Sequence, residues 1–126
     1  MKIDLGKNEL IHFVGIGGIG MSGLALIMNG LGYKVQGSDI ADNRNIERLN
    51  EKKIKVFLNH KKENIKKITV LVISSAIKKN NPELVEAIRK NLPVYTRGDM
   101  LGHIVSFMRN VVVTGSHGKT TTTSLV

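Results

Sequence analysis

Residues 10–25 read LIHFVGIGGIGMSGLA, and this stretch decides how the chain folds. Residues 10–14 are apolar apart from His12 and run directly into glycines, as a buried parallel strand does where it enters a turn. Over residues 21–31 apolar side chains recur at helical spacing, and Gly32 predicts the end of that helix. The stretch therefore predicts a strand, a glycine loop and a helix, in that order.

The loop between this strand and helix has the composition of a diphosphate-binding turn. A diphosphate needs backbone N–H groups with no side chain in the way, and a helix N-terminus supplies them together with a partial positive charge. Gly15 would permit the tight turn, Gly17 the approach of backbone to phosphate, and Gly20 the packing of helix on strand. The alternative is a glycine-rich turn that only packs the helix on a sheet. The complete loop is Gly15, Ile16, Gly17, Gly18, Ile19 and Gly20.

An acidic residue follows the next predicted strand. Residues 33–37 have the pattern of a strand, and Asp39 comes shortly after it. In dinucleotide-binding domains an acid at this place accepts hydrogen bonds from ligand hydroxyls. The alternative is that Asp39 serves only as a turn or cap residue.

The rest of the chain alternates strands with helices. Such alternation predicts a mostly parallel sheet with right-handed crossovers, which is a Rossmann-like α/β fold of three layers. Pro82 opens a helix whose Leu84, Val85 and Ile88 are expected to face the core. The other strands are expected at 55–58, 69–74, 93–95 and 110–114, and the other helices after Asp42-Asn43 and over 100–108.

Composition and charge narrow the class of protein. The 126 residues carry a formal charge of +9, but the lysines are spread along the chain without alternating aromatic residues, which favours a solvated basic surface over a nucleic-acid groove. The absence of cysteine excludes disulfides and thiolate metal sites. No apolar run approaches the roughly 20 residues of a membrane-spanning helix, and the N-terminus lacks the features of a signal peptide. We therefore expect a soluble, cytoplasmic protein.

A second glycine-bearing loop lies near the end of the chain. Residues 111–120 read VVVTGSHGKT, which predicts a buried strand followed by a shortened P-loop. In such a loop Lys119 reaches the β and γ phosphates of a nucleotide, and the Thr120 hydroxyl binds Mg²⁺. The alternative is a threonine-rich helix start with one solvated lysine. The predicted nucleotide-binding residues of this loop are Gly115, Ser116, His117, Gly118, Lys119, Thr120 and Thr121.

Five motifs together resemble the Mur ligase family of bacterial peptidoglycan synthesis. The motifs are HFVGIGGIGMSGLA (12–25), GSD (37–39), SSAIKKNNPEL (74–84), RGDML (97–101) and GSHGKTTTT (115–123). They occur in the order found in members that join L-alanine to UDP-N-acetylmuramate, and the similarity covers nearly the whole chain. Asn59, Asp99 and Ser116 stand where the family usually has glycine, glutamate and threonine.

The resemblance implies two parts within this chain. Residues 1–108 would form the Rossmann-like UDP-sugar-binding domain, and residues 109–126 the truncated start of a central ATP-binding domain. A further domain of the family, which receives the amino acid, would lie beyond Val126. We therefore expect this fragment alone to lack ligase activity.

The resemblance also implies roles for individual residues. In the family reaction, ATP and Mg²⁺ convert a carboxylate into an acyl phosphate, which the amine of L-alanine attacks; Lys119 and Thr120 would be catalytic in the first step. Apart from the resemblance, the positions of His12 in a predicted strand and of His103 in a predicted helix indicate packing or surface residues. The residues implied in UDP-sugar binding are Gly15, Ile16, Gly17, Gly18, Ile19, Gly20, Met21, Ser22, Asp39, His60, Ser74 and Ser75.

Two other functions are consistent with part of the sequence. The first loop with Asp39 would also suit an NAD-binding domain of an oxidoreductase, but that leaves the GSHGKT segment unexplained. A noncatalytic basic module would bind nucleic acid through its lysines, with a steep dependence on salt.

Overall fold

Strands and helices alternate along the chain, as the sequence predicts. The computed structural model describes residues 5–115, with side chains as far as Arg109. Its strands are β1 (Leu10–Val14), β2 (Lys34–Ser38), β3 (Lys55–Phe57), β4 (Val70–Ile73) and β5 (Val94–Thr96). Its helices are α1 (Ile19–Gly30), α2 (Arg44–Glu51), α3 (Pro82–Arg89) and α4 (Arg97–Gly115), with a 3₁₀ turn at Lys62–Ile65.

The strands form one parallel five-stranded sheet in the order β3-β2-β1-β4-β5. The chain moves from β1 outward to β2 and β3, and then returns to place β4 on the other side of β1. The order of the strands therefore reverses between β1 and β4, which is where doubly wound sheets form their ligand clefts. The predicted α/β class is confirmed.

Apolar side chains cover both faces of the sheet, which gives three layers. On one face Ile11 and Phe13 of β1 pack with α1, α2 and α4. On the other face Val14 and Leu71 pack with α3 and the 3₁₀ turn. His12 lies between Ile11 and Phe13 in the strand, so its side chain points to the α3 face. Among the described residues, no helix combines the length and the apolar character needed to cross a bilayer.

The helix ends follow local chemistry visible in the sequence. α1 stops at Gly30, and Gly32 adopts a φ of +98°, the left-handed conformation that favours glycine after a helix. The Asn43 side chain accepts the Ile46 N–H at 3.1 Å and caps α2. Asn81 caps α3 by accepting the Glu83 N–H at 2.9 Å, and Pro82 occupies the first turn.

One predicted strand is part of a helix. The strand predicted at 110–114 is part of α4, which runs without a break from Arg97 to Gly115. Three consecutive valines favour a strand, but a strand needs a neighbour for its backbone groups, whereas a helix satisfies them within itself. The predicted boundary at residues 108–109 falls inside this helix and stays a prediction.

The core-facing side of α3 also differs from the expectation. Val85 and Ile88 are 50% and 59% exposed, while Glu83, Leu84 and Ala87 are buried. The helix turns a carboxylate toward the sheet, and this orientation leaves two apolar residues in solvent.

One glycine of β2 lies where the chain passes directly over the strand. A Cβ atom built on Gly37 would lie 2.5 Å from Cδ1 of Ile16 and 2.7 Å from the carbonyl oxygen of Phe13. These distances are shorter than van der Waals contact, and one of the two neighbours is backbone. The loop after β1 can therefore close over β2 only because residue 37 has no side chain.

We expect Gly37→Ala to lower the free energy of unfolding by about 1–3 kcal/mol, because the added methyl group overpacks this contact. Gly23→Ala is the matched control, since a Cβ there meets no atom within 4 Å. In the middle of α1 that change should stabilise the chain by about 0.5–1 kcal/mol. Urea unfolding followed by circular dichroism measures both, and equal effects of the two changes would contradict the role of Gly37.

Candidate functional site

A cleft of about 560 Å³ opens at the carboxyl ends of the central strands. Gly15 follows β1, Asp39 follows β2 and Ser74 follows β4, so three neighbouring strand ends meet there. The cleft therefore lies at the point where the strand order reverses. Its lining residues are Gly15, Gly18, Asp39, Ile40, His60, Ser74, Ala76, Ile77, Lys78, Asn80, Asn81 and Pro82.

The glycine loop forms a tight turn that is tied to β2. Gly15 has a φ of +84°, the left-handed conformation expected for the turn. The N–H groups of Gly15 and Ile16 both donate to the carbonyl of Ser38, at 2.8 and 3.0 Å. The Gly18 N–H donates back to the Gly15 carbonyl at 3.1 Å. These backbone hydrogen bonds fix the start of the loop against β2.

The N-terminus of α1 is left without a side-chain cap. Its N-cap residue is Gly18, and the first N–H to find a partner in the helix is that of Ser22, which donates to the Gly18 carbonyl at 2.8 Å. The N–H groups of residues 19–21 make no hydrogen bond to any described residue. Such donors, together with the positive end of the helix dipole, suit an anion.

The side chain of Asp39 holds the loop by accepting a hydrogen bond from the loop backbone. Its Oδ2 accepts the Gly17 N–H at 2.7 Å, and its Oδ1 accepts the N–H groups of Ile40 and Ala41 at 2.8 and 3.2 Å. A Cβ on Gly17 would lie 2.7 Å from the same Oδ2. The missing side chain at Gly17 therefore makes room for the Asp39 carboxylate. Three of its roughly four acceptor positions are used, which leaves capacity for one ligand hydroxyl.

A cation lies beside the uncapped helix end. A Cβ on Gly20 would lie 2.9 Å from Cδ and 3.1 Å from Nε of Arg97, so the Arg97 side chain runs directly over Gly20. Arg97 is exposed and makes no ion pair with a described residue. A guanidinium and a helix N-terminus are both positive, and an anion between them would neutralise both.

A buried carboxylate lies behind the cleft, in a group of residues that we call the Glu83 cluster: His12, Gln36, Ser38, Asn64 and Glu83. Glu83 has no exposed surface. Its Oε1 accepts from Nε2 of His12 at 2.8 Å and from the Ser38 hydroxyl at 2.5 Å. Its Oε2 accepts from Nδ2 of Asn64 at 2.7 Å and from the backbone N–H of Lys61 at 3.2 Å. Both oxygens are thus fully supplied with donors.

The contacts of Gln36 decide the protonation of His12. Nε2 of Gln36 lies 2.9 Å from the carbonyl oxygen of Asn64 and 2.8 Å from Nδ1 of His12. A carbonyl oxygen only accepts, so the Gln36 atom is the amide nitrogen and its other hydrogen points to Nδ1. His12 is therefore a neutral imidazole that carries its proton on Nε2 and donates it to Glu83.

The donors also decide the charge of Glu83. Burial by itself raises the pKa of this carboxyl, but the hydrogen bond and electrostatic attraction of His12, together with the hydrogen bonds from Ser38 and Asn64, outweigh it and hold the pKa below its ordinary value of 4.5. The buried group is therefore an ionised carboxylate near neutral pH.

The structure places the predicted ligand residues on the cleft wall, in the core or on other exposed surface. Gly15, Gly18, Asp39, His60 and Ser74 line the cleft. The side chains of Ile16, Met21 and Ser22 are turned inward, with exposures of 0%, 2% and 5%. Ser75 is exposed and does not line the cleft, and Ile19 is 88% exposed. Residues 116–121 of the second loop lie outside the described residues, and Gly115 is the last residue of α4.

Two residues near the site have no role in the sequence-based prediction. Arg97 directly follows β5, and the rule that ligands approach the carboxyl ends of parallel strands could have indicated it. Glu83 carries no local signal, because its partner His12 is 71 residues away along the chain. The residue's role depends on α3 packing against β1.

Comparisons with known proteins find similarity to one family. The family described as "Mur ligase family, catalytic domain" matches residues 10–109. Over 126 residues the chain is 68% identical to a UDP-N-acetylmuramate–L-alanine ligase of Pelagibacter ubique and 57% identical to one of Brucella ovis. These matches cover 100% of this chain, but 27% and 26% of the two relatives. The chain thus spans about a quarter of their length.

Solved structures agree with the sequence matches. A UDP-N-acetylmuramate-alanine ligase from Thermotoga maritima aligns with a TM-score of 0.72 and 32% identity, over 82% of this chain and 23% of that one. A UDP-N-acetylmuramate:L-alanyl-gamma-D-glutamyl-meso-diaminopimelate ligase from Neisseria meningitides aligns with a TM-score of 0.65 and 29% identity, over 71% of this chain and 28% of that one.

The low pKa of Glu83 makes the stability of the chain depend on pH. Because the pKa is lower in the folded state, the carboxylate contributes stability above pH 4.5, and this contribution is lost as the pH falls through the folded-state value. We expect Glu83→Gln to lower the free energy of unfolding at pH 7 by about 1–3 kcal/mol, because an amide nitrogen cannot accept from the donors that a carboxylate oxygen satisfies. The decline of stability below pH 4.5 should become flatter.

Glu86→Gln is the matched control for this prediction. Glu86 lies one turn further along α3 and pairs with the exposed Arg89, so solvent screens its interaction. Its replacement should change the stability at pH 7 far less. Urea unfolding at several pH values measures both variants, and a pH profile of Glu83→Gln that parallels that of the unmodified chain would refute the prediction.

Proposed function

The chain belongs to the Mur ligase family, and on this premise we propose that it binds UDP-N-acetylmuramate for a ligase that joins L-alanine to that nucleotide sugar. The uncapped N-terminus of α1, with the Arg97 side chain beside it, is the observation that carries the proposal. A diphosphate is an anion that suits this arrangement of donors and positive charge. The relatives of 68% and 57% identity bear the name of the same activity.

The diphosphate would be bound by backbone and by charge. The N–H groups of residues 19–21 would donate to its oxygens, and the Arg97 guanidinium would add charge-assisted hydrogen bonds from the other side. Because hydrogen bonds within the fold already hold the loop, little ordering would be needed on binding.

The nucleoside would lie in the cleft between the ends of β2 and β4. The remaining acceptor position of Asp39 would take a ribose hydroxyl, while His60 and Ser74 offer further polar contacts on the cleft wall. Apolar surface from Ile40 and Ile77 would cover the flat faces of a base. Few polar groups on a largely apolar wall are typical of nucleotide sites.

The ATP-dependent step would belong to the second loop and to the part of the relatives that this chain does not span. Lys119 would contact the β and γ phosphates, and Thr120 would bind Mg²⁺. ATP would supply the phosphoryl group that activates the carboxylate of the bound sugar for attack by L-alanine. We expect the 126-residue chain to bind the UDP-sugar without forming product.

Titration calorimetry tests this proposal with two ligands. UDP-N-acetylmuramate should release heat on binding, and NAD should bind more weakly, because an NAD-binding domain is the principal alternative for a loop of this kind. No heat with UDP-N-acetylmuramate at millimolar concentration, or tighter binding of NAD, would overturn the proposed function.

Arg97→Ala should weaken the binding of UDP by roughly tenfold, because a charge-assisted contact to the diphosphate is lost. Binding of uridine, which has no phosphate, should change little. Arg89→Ala is the matched control, since that exposed arginine pairs with Glu86 outside the cleft. Calorimetry at constant salt measures the binding of UDP and of uridine to the unmodified chain and to both variants. An equal loss for UDP and uridine would mean that Arg97 acts on the fold and not on the diphosphate.

A further inference from the structure

We infer that Glu83, through the Ser38 hydroxyl, holds His60 with its proton on Nδ1, so that Nε2 serves the bound nucleotide as a hydrogen-bond acceptor. Glu83 and Ser38 are thus positioning residues, since they act on the ligand only through His60. The inference rests on the proposed function for the identity of the ligand, but its first step concerns the free protein.

The three residues form a chain of contacts from the core to the cleft. Glu83 and Ser38 have no exposed surface, whereas the side chain of His60 is 16% exposed and lines the cleft. The Ser38 hydroxyl lies 2.5 Å from Oε1 of Glu83 and 2.9 Å from Nδ1 of His60. Nδ1 itself is 3.7 Å from Oε1, too far for a direct hydrogen bond.

The direction of each hydrogen bond follows from the ionised carboxylate. A carboxylate cannot donate, so the single hydrogen of the Ser38 hydroxyl points to Glu83. The Ser38 oxygen can then only accept from the imidazole, which requires a hydrogen on Nδ1 of His60. In the neutral ring Nε2 consequently carries a lone pair. His12 touches the same carboxylate with the opposite tautomer, since its proton is on Nε2.

The position of His60 leaves Nε2 for a ligand. Nε2 makes no hydrogen bond to a described residue, and no buried side-chain nitrogen or oxygen among those residues lacks a partner. The free edge of the ring is therefore on its solvent side, where the ring forms part of the cleft wall. An acceptor at this place favours a nucleoside group that donates a hydrogen, either the imide N–H of uracil or a ribose hydroxyl.

Nitrogen-15 NMR of the histidine side chains tests the first step without any ligand. At pH 8.5, where imidazoles are neutral, we expect His60 as the Nδ1–H tautomer and His12 as the Nε2–H tautomer. In Ser38→Ala the signals of His60 should become those of a tautomer mixture. Ser106→Ala makes the same change at an exposed position on α4 and should alter neither. A His60 proton on Nε2 in the unmodified chain, or no response to Ser38→Ala, would overturn the inference.

Binding measurements test the second step and identify the donor. In the unmodified chain, N3-methyl-UDP or 2′,3′-dideoxy-UDP should bind more weakly than UDP. The ligand whose disadvantage shrinks in Ser38→Ala identifies the group that faces Nε2, because a ribose hydroxyl bound only by Asp39 would not respond to that change. Ser38→Ala should weaken UDP binding roughly fivefold and reduce that discrimination. Equal binding of all three ligands to the unmodified chain would overturn the acceptor role.

Two further measurements distinguish a lost tautomer of His60 from misfolding of the variant. Circular dichroism should give the same spectrum for Ser38→Ala as for the unmodified chain, and Glu83→Gln provides a second variant in which His60 should also lose its single tautomer. If the unmodified chain binds no UDP at all, the proposed function fails, but the tautomer of His60 still decides whether Glu83 and Ser38 position it.

Discussion

Both oxygens of a carboxylate without exposed surface must find donors, and at Glu83 those donors come from separate parts of the fold. β1 supplies His12, β2 supplies Ser38, and the segment around the 3₁₀ turn supplies Asn64 and a backbone N–H. The placement of α3 on the sheet brings the carboxylate to all of them. The same contacts explain why Val85 and Ile88 remain in solvent. An apolar residue at 83 would allow α3 to slide or rotate, whereas directed hydrogen bonds do not.

The glycine loop divides its hydrogen-bond donors between structure and ligand. The N–H groups of Gly15, Ile16 and Gly17 are used within the fold, the first two by the Ser38 carbonyl and the third by Asp39. The N–H groups of residues 19–21 are not. A rigid turn followed by unused donors can bind an anion with little loss of conformational freedom. Ser38 contributes to both the structure of the loop and the cleft wall. Its carbonyl accepts from the loop backbone, and its hydroxyl contacts His60.

The order of the strands makes one cleft from distant segments. β2 and β4 flank β1 but are reached by chain segments that leave in opposite directions, so the loops after the three strands separate above the sheet. Asp39, His60 and Ser74 meet in that gap. The Mur ligase relatives are about four times as long, with this chain covering 27% and 26% of two of them. The residues of this chain that line the cleft lie between Gly15 and Pro82.

Local sequence determined the α/β class, the strand β1, the turn at Gly15 and the caps at Asn43 and Asn81, because periodicity, glycine conformation and capping act within a few residues. The tertiary structure alone decided that α4 continues through 110–114, since a strand exists only beside another strand. It also decided the contacts of Glu83 with His12 and of Arg97 with Gly20, which join residues 71 and 77 positions apart. Such contacts depend on the way helices dock on a sheet, and no pattern along the chain encodes that docking.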